Sequence, residues 1–491
     1  MNILGISAGF HDAAATVIND QGEILYAGHA ERYSKIKNDP DIHIDMIAEL
    51  GQYNIDHVAY YETPWKKQLR QLYSGQGLEW DKLFTKKILQ KQLYGFFNNV
   101  PVSTHNHHLS HAAAGFQTSL FHSATVVVID AIGEWDTISI WGAEYDCGKA
   151  KYKRLWCQKY PHSIGLFYTA MTQQVGLKPM EDEYILMGMA AYGSKVVSPL
   201  MKTQLVENEW EATFKENLHT GSSWDYAHHY DIMDVAASSQ ELCENLIYNI
   251  MRRAKDFNFS SNLVYMGGVA LNCLANRNLG EYFEKIWIMP NPGDAGSSLG
   301  AAALAYGGPI KFSHAYHGRE ISGPYPVNAV LDSLLTDKIV GVASGRAEFG
   351  PRALGNRSLL ADPRGPDIKD RVNAIKRRQE FRPFAPVILA EYANEFFNMP
   401  NGFSDSPYMQ SIGYCRMPDA FPAIVHHDGT SRVQTVSDNG SGIRQLLEKW
   451  YVVTGCPMLL NTSLNIKGEP IVNDRADADR FEQRYGVRVH S

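Results

Sequence analysis

The chain lacks the features that would place it outside the cell or in a membrane. Its six cysteines, Cys147, Cys157, Cys243, Cys273, Cys415 and Cys456, are scattered and never form a CxxC pair. Neither a disulfide framework nor a cysteine zinc site is expected from that spacing. No signal peptide opens the sequence, and no apolar run approaches the roughly 20 residues a bilayer-spanning helix needs. These absences point to the reducing cytoplasm and against a membrane partner. An excess of positive charge is also missing: 46 basic residues face 53 acidic ones, a formal net charge of −7. DNA is therefore not indicated as a partner by charge, although a local basic groove is compatible with that balance. What is present is an ordinary globular composition, 44% hydrophobic and 20% charged over 491 residues, enough for two or three domains.

The most informative stretch is HNHHLSHAA, residues 105–113. His107 and His111 lie four apart, so on a helix both imidazoles share one face and can reach one metal ion. Asp130, ending VVVID, and Asp294, in NPGDAGSS, are the candidates for further ligands. Two histidines with carboxylate oxygens suit iron, zinc or manganese better than calcium or magnesium.

Around these residues the sequence reads as an α/β protein. The N-terminus alternates strands and turns through NILGIS, AATVIN and EILYAGHA, with Gly5, Ser7, Ala8 and Gly9 allowing close approach to a ligand. A second such unit runs from Thr125 to Trp141, with Asp130 to Glu134 as its turn and Gly133 inside it. Actin-like and sugar-kinase-like folds hold nucleotide phosphates between two such units. Helices are expected from Gln240 to Lys255 and from Ala270 to Phe283, with the strand LVYMGG between them. The loop NPGDAGSS then opens a helix of small residues, whose unpaired N-terminal amides suit an anion.

Glycines and prolines between Gly307 and Asn328 mark a linker, and the domain boundary is placed near Ser322, giving domains 1–321 and 322–491. Beyond it, SGRAEFGPRALGNRSLLADPR contains Arg346, Arg352, Asn356, Arg357 and Arg364 among glycines. NAIKRRQEFRPFAP contributes Lys376, Arg377, Arg378 and Arg382, and LNTSLNIKG contributes Asn461, Thr462, Ser463, Asn465 and Lys467. Arginine forks and lysines beside glycine turns suit phosphate or carboxylate oxygens, so this domain is expected to bind a small anion.

With these motifs together, the chain resembles the NodU-type O-carbamoyltransferases, from GISAGFHDAAATV through HHLSHAA, DAIGEWDT, MGMAAYG, MGGVALNCLAN, NPGDAGSSLGAA, GRAEFGPRALGNRS and EFRPFAP to LNTSLNIKGEPIV. The resemblance implies an actin-like, two-lobed nucleotide-binding domain (the ASKHA class), like that of the tRNA threonylcarbamoyl transferases, followed by an α+β YrdC-like domain. It implies that carbamoyl phosphate reacts with ATP, which brings Mg, to give carbamoyl-adenylate and pyrophosphate, after which a substrate hydroxyl attacks the carbamoyl carbon. The implied metal is iron, held by His107, His111, Asp130 and Asp294. Gly133, Gly267, Gly268, Asn272, Gly293 and Ser297 are then expected at the nucleotide. Arg346, Asn356, Arg357, Arg378, Asn461, Thr462 and Ser463 are expected at the second domain's ligands, with Arg352, Lys376 and Arg382 catalytic there. His11, whose imidazole titrates near neutrality, is the expected general base toward the acceptor.

The acceptor stays open among small molecules, sugars and hydroxymethylated pyrimidines in nucleotide or DNA form, and so does a homodimer. Two departures stand out: Glu183 is followed by Tyr184 and Ile185 where many relatives carry a lysine, and the C-terminus looks short. A tRNA threonylcarbamoyl transferase would account for the N-terminal half alone. A non-catalytic nucleotide switch leaves the arginine-rich domain without a role.

Overall fold

The computed structural model describes residues 1–97 and 99–491. It divides into two compact units: Met1–Tyr33, Asn38–Ala275 and Leu279–Ser313 form the first, and Ser34–Lys37, Asn276–Asn278 and His314–Ser491 the second.

The first unit repeats one topology twice. Strands β1 (Ile3–Ser7), β2 (Ala14–Ile18), β3 (Ile24–His29), β4 (His57–Tyr60) and β5 (Val102–Thr104) form a sheet ordered β3-β2-β1-β4-β5. The β1-β2-β3 meander is antiparallel, whereas β4 and β5 run parallel to β1. Between β4 and β5 lie helices α1 (Pro64–Tyr73) and α2 (Thr85–Gln92), and α3 (His107–Thr118) follows β5.

The second sheet contains β6 (Ser123–Gly133), β7 (Asp136–Asp146), β8 (Lys149–Lys159), β9 (Asn262–Met266) and β10 (Lys285–Trp287). Its order, β8-β7-β6-β9-β10, repeats the two antiparallel and two parallel pairings of the first. Helix α4 (Ile232–Asp256) precedes β9, and α5 (Ser297–Tyr306) follows β10. Two copies of one sheet topology, each followed by a helix, make this unit the actin-like α/β fold.

Residue size explains how the halves are locked together. Helix α3 presents Ala112, Ala113 and Ala114 and α5 presents Ala301, Ala302 and Ala303, all fully buried. A Cβ on Gly300 would stand 1.8 Å from the carbonyl oxygen of Ser110, and one on Gly5 would stand 1.9 Å from that of Ser298. Backbones this close leave no room for a side chain, so the small-residue run of α5 is a packing requirement.

Two local expectations change. Asp130 lies within the long strand β6, and the turn falls at Glu134, whose φ is +58°. The expected helix over 270–283 is broken into Gly268–Leu271, Cys273–Asn276 and Leu279–Glu281. The cause is local: the Asn272 side chain caps the short turn by accepting from the amide of Ala275, and Gly280 follows.

In the second unit the strand Tyr316–Ile321, which ends just before the sequence-based boundary at Ser322, pairs with Gly345–Glu348. The main sheet comprises β11 (Ile339–Ala343), β12 (Arg357–Ala361), β13 (Ala385–Leu389), β14 (Gln434–Val436), β15 (Met458–Ser463) and β16 (Val489–His490). It is mixed, in the order β14-β13-β15-β12-β11-β16. Helices α6 (Ile368–Lys376) and α7 (Gly442–Thr454) accompany it, and Trp450 of α7 is wholly buried in the core. Among the described residues no helix is long and apolar enough to cross a membrane.

Candidate functional site

The first unit's polar residues gather where its strands end. His11 follows β1, Glu62 follows β4, His107 follows β5, and Asp130 lies near the end of β6. Gly267 follows β9, and Asp294 follows β10. Carboxyl ends of strands are where open α/β sheets bind ligands, because the chain reverses there and leaves amides and short loops free.

The four expected metal ligands converge. One donor atom from each of His107, His111, Asp130 and Asp294 lies within 4.8 Å of all the others. His107 Nε2 is 3.3 Å from Asp130 Oδ2 and 3.3 Å from Asp294 Oδ1, and His111 Nε2 is 3.3 Å from the same Asp294 oxygen. The two Nε2 atoms are 3.1 Å apart. Asn106 starts the helix that carries both rings, its side chain accepting from the Leu109 amide.

The far side of each ring is also engaged. His111 Nδ1 donates to the carbonyl of Pro292 at 3.1 Å, and His107 Nδ1 donates to Glu62 Oε2 at 3.2 Å. Both partners can only accept, so in the neutral rings the proton resides on Nδ1 and the Nε2 lone pairs face the centre. Glu62 is in turn held by Lys67 Nζ, 3.2 Å from each of its oxygens. Asp130 is oriented by the Gly268 amide, which donates to Oδ1 at 3.1 Å and leaves Oδ2 facing the imidazoles.

Electrostatics follow from this crowding. Burial alone would lower the pKa of His107, but Asp294, Asp130 and Glu62 outweigh it and hold the ring well above the usual histidine value. His111 is likewise raised, burial being overcome by Asp130 and Asp294. Burial would raise Asp130, but the two imidazoles hold it well below the carboxylate range. His11, a third exposed and 3.1 Å from Asp12, is raised to about 9: burial lowers it, while Asp12, Asp294 and Asp130 raise it. Two buried imidazoles and two carboxylate oxygens around one point are a donor set that fits a transition-metal cation.

Two carboxylates outside the expected set complete the site. Glu62 is one; it lies just past β4, and only its tertiary contact with His107 Nδ1 marks it. Glu134 is the other, accepting from the amides of Thr63 at 2.7 Å and His107 at 3.2 Å and from Asn106 Nδ2 at 2.9 Å, so it braces the start of α3. The glycines have packing duties beside these ligands. A Cβ on Gly133 would lie 2.4 Å from the His107 ring, and one on Gly267 (φ +91°) would lie 2.1 Å from the Ile129 carbonyl. Gly293 directly precedes Asp294, and Ser297 starts α5 with a fully buried side chain. Asn272 is paired amide to amide with Gln240, at 3.0 Å in both directions.

The second unit has a separate polar centre. Lys376, buried at the end of α6, donates to Ser463 Oγ at 3.1 Å and Asn465 Oδ1 at 2.7 Å. Burial, then Arg378, Arg382 and Lys37, push its pKa well below the ordinary lysine value. Arg378 lies 3.9 Å from the Phe384 ring centre and bonds Asn373. Thr462 is half-buried on β15, and Asn461 beside it donates to the Ala353 carbonyl and to Gln434. Glu348 folds the GPRALGNR loop by accepting from the amides of Leu354, Asn356 and Arg357. Arg352 is half-buried on that loop, and Arg346 is tied to it through its carbonyl, which accepts from Asn356 Nδ2 at 2.8 Å.

Arg357 requires a correction. Its side chain is fully buried and spends its N–H groups on the carbonyls of Ser344, Asn356, Asn473, Arg319 and Gly345. No donor is left facing a ligand, so it clamps backbone and does not bind an anion.

Sequence models of the carbamoyltransferase N-terminus and C-terminus match residues 2–303 and 331–489 of this chain. The chain belongs to the carbamoyltransferase family. The motif resemblance is thus a family relationship. Nodulation protein NolNO of Sinorhizobium fredii is 31% identical over 95% of this carbamoyltransferase and 76% of its own length. Nodulation protein NolO of Bradyrhizobium diazoefficiens is 32% identical over 76% and 75%, and an uncharacterized Synechocystis protein is 32% identical over 98% and 94%. Among solved structures, T. kodakarensis HypF is 13% identical with a TM-score of 0.38, covering 62% of this chain and 47% of its own. So slight a likeness carries no argument, and the fold rests on the repeated strand order.

Proposed function

We propose that this carbamoyltransferase is ATP-dependent and transfers its group to a hydroxyl. In the second unit, water cleaves carbamoyl phosphate to carbamate and phosphate; the carbamate oxygen then attacks the α-phosphorus of ATP, whose bond to the bridging β-phosphate oxygen breaks, giving carbamoyl-adenylate and pyrophosphate. In the first, the acceptor oxygen attacks the carbamoyl carbon, the bond from that carbon to the adenylate oxygen breaks, and AMP leaves with the electron pair.

The observation that carries the ATP-dependent step is the Lys376 cluster. Burial, then Arg378, Arg382 and Lys37, disfavour the charge of Lys376, and an anion of phosphate type bound there would favour it. Lys376 and Arg382 are assigned to neutralise charge on the reacting phosphates, with Arg352 on the carbamoyl phosphate. Arg346, Asn356, Arg378, Thr462 and Ser463 are assigned to shape that pocket.

In the first unit, His107, His111, Asp130 and Asp294 would hold the cation, assigned as iron. When bound, it supplies a fixed positive charge for phosphate oxygens. His11 is assigned to take the acceptor's proton; Asp12 first, then Asp294 and Asp130, raise its pKa, and a bound cation would offset only the last two. The Gly267-Gly268 and Gly293–Ser297 loops are assigned to the nucleotide, which glycine lets approach closely.

The test is isotope exchange: labelled pyrophosphate should enter ATP when carbamoyl phosphate is present. Metal-loaded, folded protein that gives no exchange removes the adenylate step.

A further inference from the structure

A surface helix normally turns its apolar residues inward, and one face of α1 does the reverse. Trp65, Leu69 and Tyr73, spaced four apart and so aligned along one side, are 49%, 48% and 71% exposed. The following segment continues the pattern, with Trp80 and Phe84 at 71% and 56%. Lysines interleave with these rings: Lys66 Nζ is 5.9 Å from the Trp65 ring centre, and Lys87 Nζ is 5.8 Å from that of Phe84. Residues 64–92 carry seven basic side chains against two acidic ones, in a chain whose net charge is −7, and all the basic ones but the buried Lys67 and Arg70 reach the surface.

This face is continuous with the site. Tyr73 meets Trp135 at 5.5 Å, and Trp135 adjoins Glu134, which braces the helix bearing the metal ligands. Phe10, the neighbour of His11, has Lys67 Nζ 3.7 Å and Lys82 Nζ 5.1 Å from its ring centre.

Exposed flat rings separated by ammonium groups match a chain of stacked bases joined by phosphates. A neutral oligosaccharide would use the rings and make no use of the exposed charges of Lys86, Lys87 and Lys91. A second copy of this chain, packed face to face, would set cations against cations. We infer that this face binds single-stranded nucleic acid and that the acceptor hydroxyl is carried on it. The inference rests on the carbamoyl-transfer reading above and names its substrate class.

The test is fluorescence anisotropy of the full chain with a fluorescein-labelled oligothymidylate, at low and at physiological salt. Binding is expected, weakening steeply with salt, and about tenfold or more weaker in the Trp80→Ala/Phe84→Ala and Lys86→Glu/Lys87→Glu variants. Pyrophosphate exchange should stay unchanged in both. No oligonucleotide binding with exchange intact overturns this inference and leaves the proposed function standing. Binding without exchange upholds the face and removes the adenylate step. The inference is also overturned if a neutral oligosaccharide binds in place of the oligonucleotide, or if Trp65→Glu splits a dimer in sedimentation while oligonucleotide binding is unaffected.

Discussion

The first unit's centre sets two imidazoles against two carboxylates, whereas the charges acting on Lys376 in the second unit are all of its own sign. A centre with both signs can fold without its ion, because protons on the imidazoles compensate the carboxylates until a cation displaces them. Around Lys376, burial and then Arg378, Arg382 and Lys37 push the lysine toward its neutral form, which an arriving anion would oppose. Opposite protonation behaviour follows. Cation binding to the quartet releases protons, because the raised imidazoles must give theirs up; anion binding beside Lys376 takes protons up, because it restores the charged form.

The largest expected effect breaks the compensated centre. His107→Ala should lower metal content and carbamoyl transfer at least about 100-fold while leaving anion binding by the second unit intact, measured by metal analysis and turnover. Next, Lys376→Met should lower pyrophosphate exchange about 100-fold with metal content unchanged, which separates the two centres. Glu62→Gln should weaken metal affinity roughly 10–100-fold in competition with a chelator, since it removes the charge that fixes the His107 ring and pairs with Lys67. Arg352→Ala should raise the KM for carbamoyl phosphate about tenfold and spare ATP binding. The smallest effect concerns protons alone. Titration calorimetry in buffers of different ionisation enthalpy should show proton release with a divalent metal and uptake with sulfate; the same sign for both would erase the contrast.

Much of the candidate site was legible in the sequence because its ligands lie in compact local patterns. HxxxH fixes two rings on one helical face before any tertiary contact forms, and Asp130 and Asp294 each close an apolar strand or a glycine loop. Glu62 was not legible, since nothing local says that a carboxylate 45 residues before His107 reaches its Nδ1. Arg357 misled for the converse reason. In sequence it alternates with glycines as anion-binding arginines do, and only the folded loop shows its guanidinium closed off by carbonyls. The helix expected from Ala270 to Phe283 failed because Asn272 bonds to the Ala275 amide and to Gln240 in place of continuing the turn.

The sequence by itself determined the strand–turn–strand units, the small-residue helices and the family, because period, glycine placement and motif spacing are local properties. Tertiary structure alone decided which side chains converge in the quartet and which merely hold them, and which arginine is sealed in the core. It also left the aromatic–lysine face of α1 outward. Those outcomes depend on strands brought together from distant parts of the chain, and no local pattern encodes which neighbour a side chain will meet.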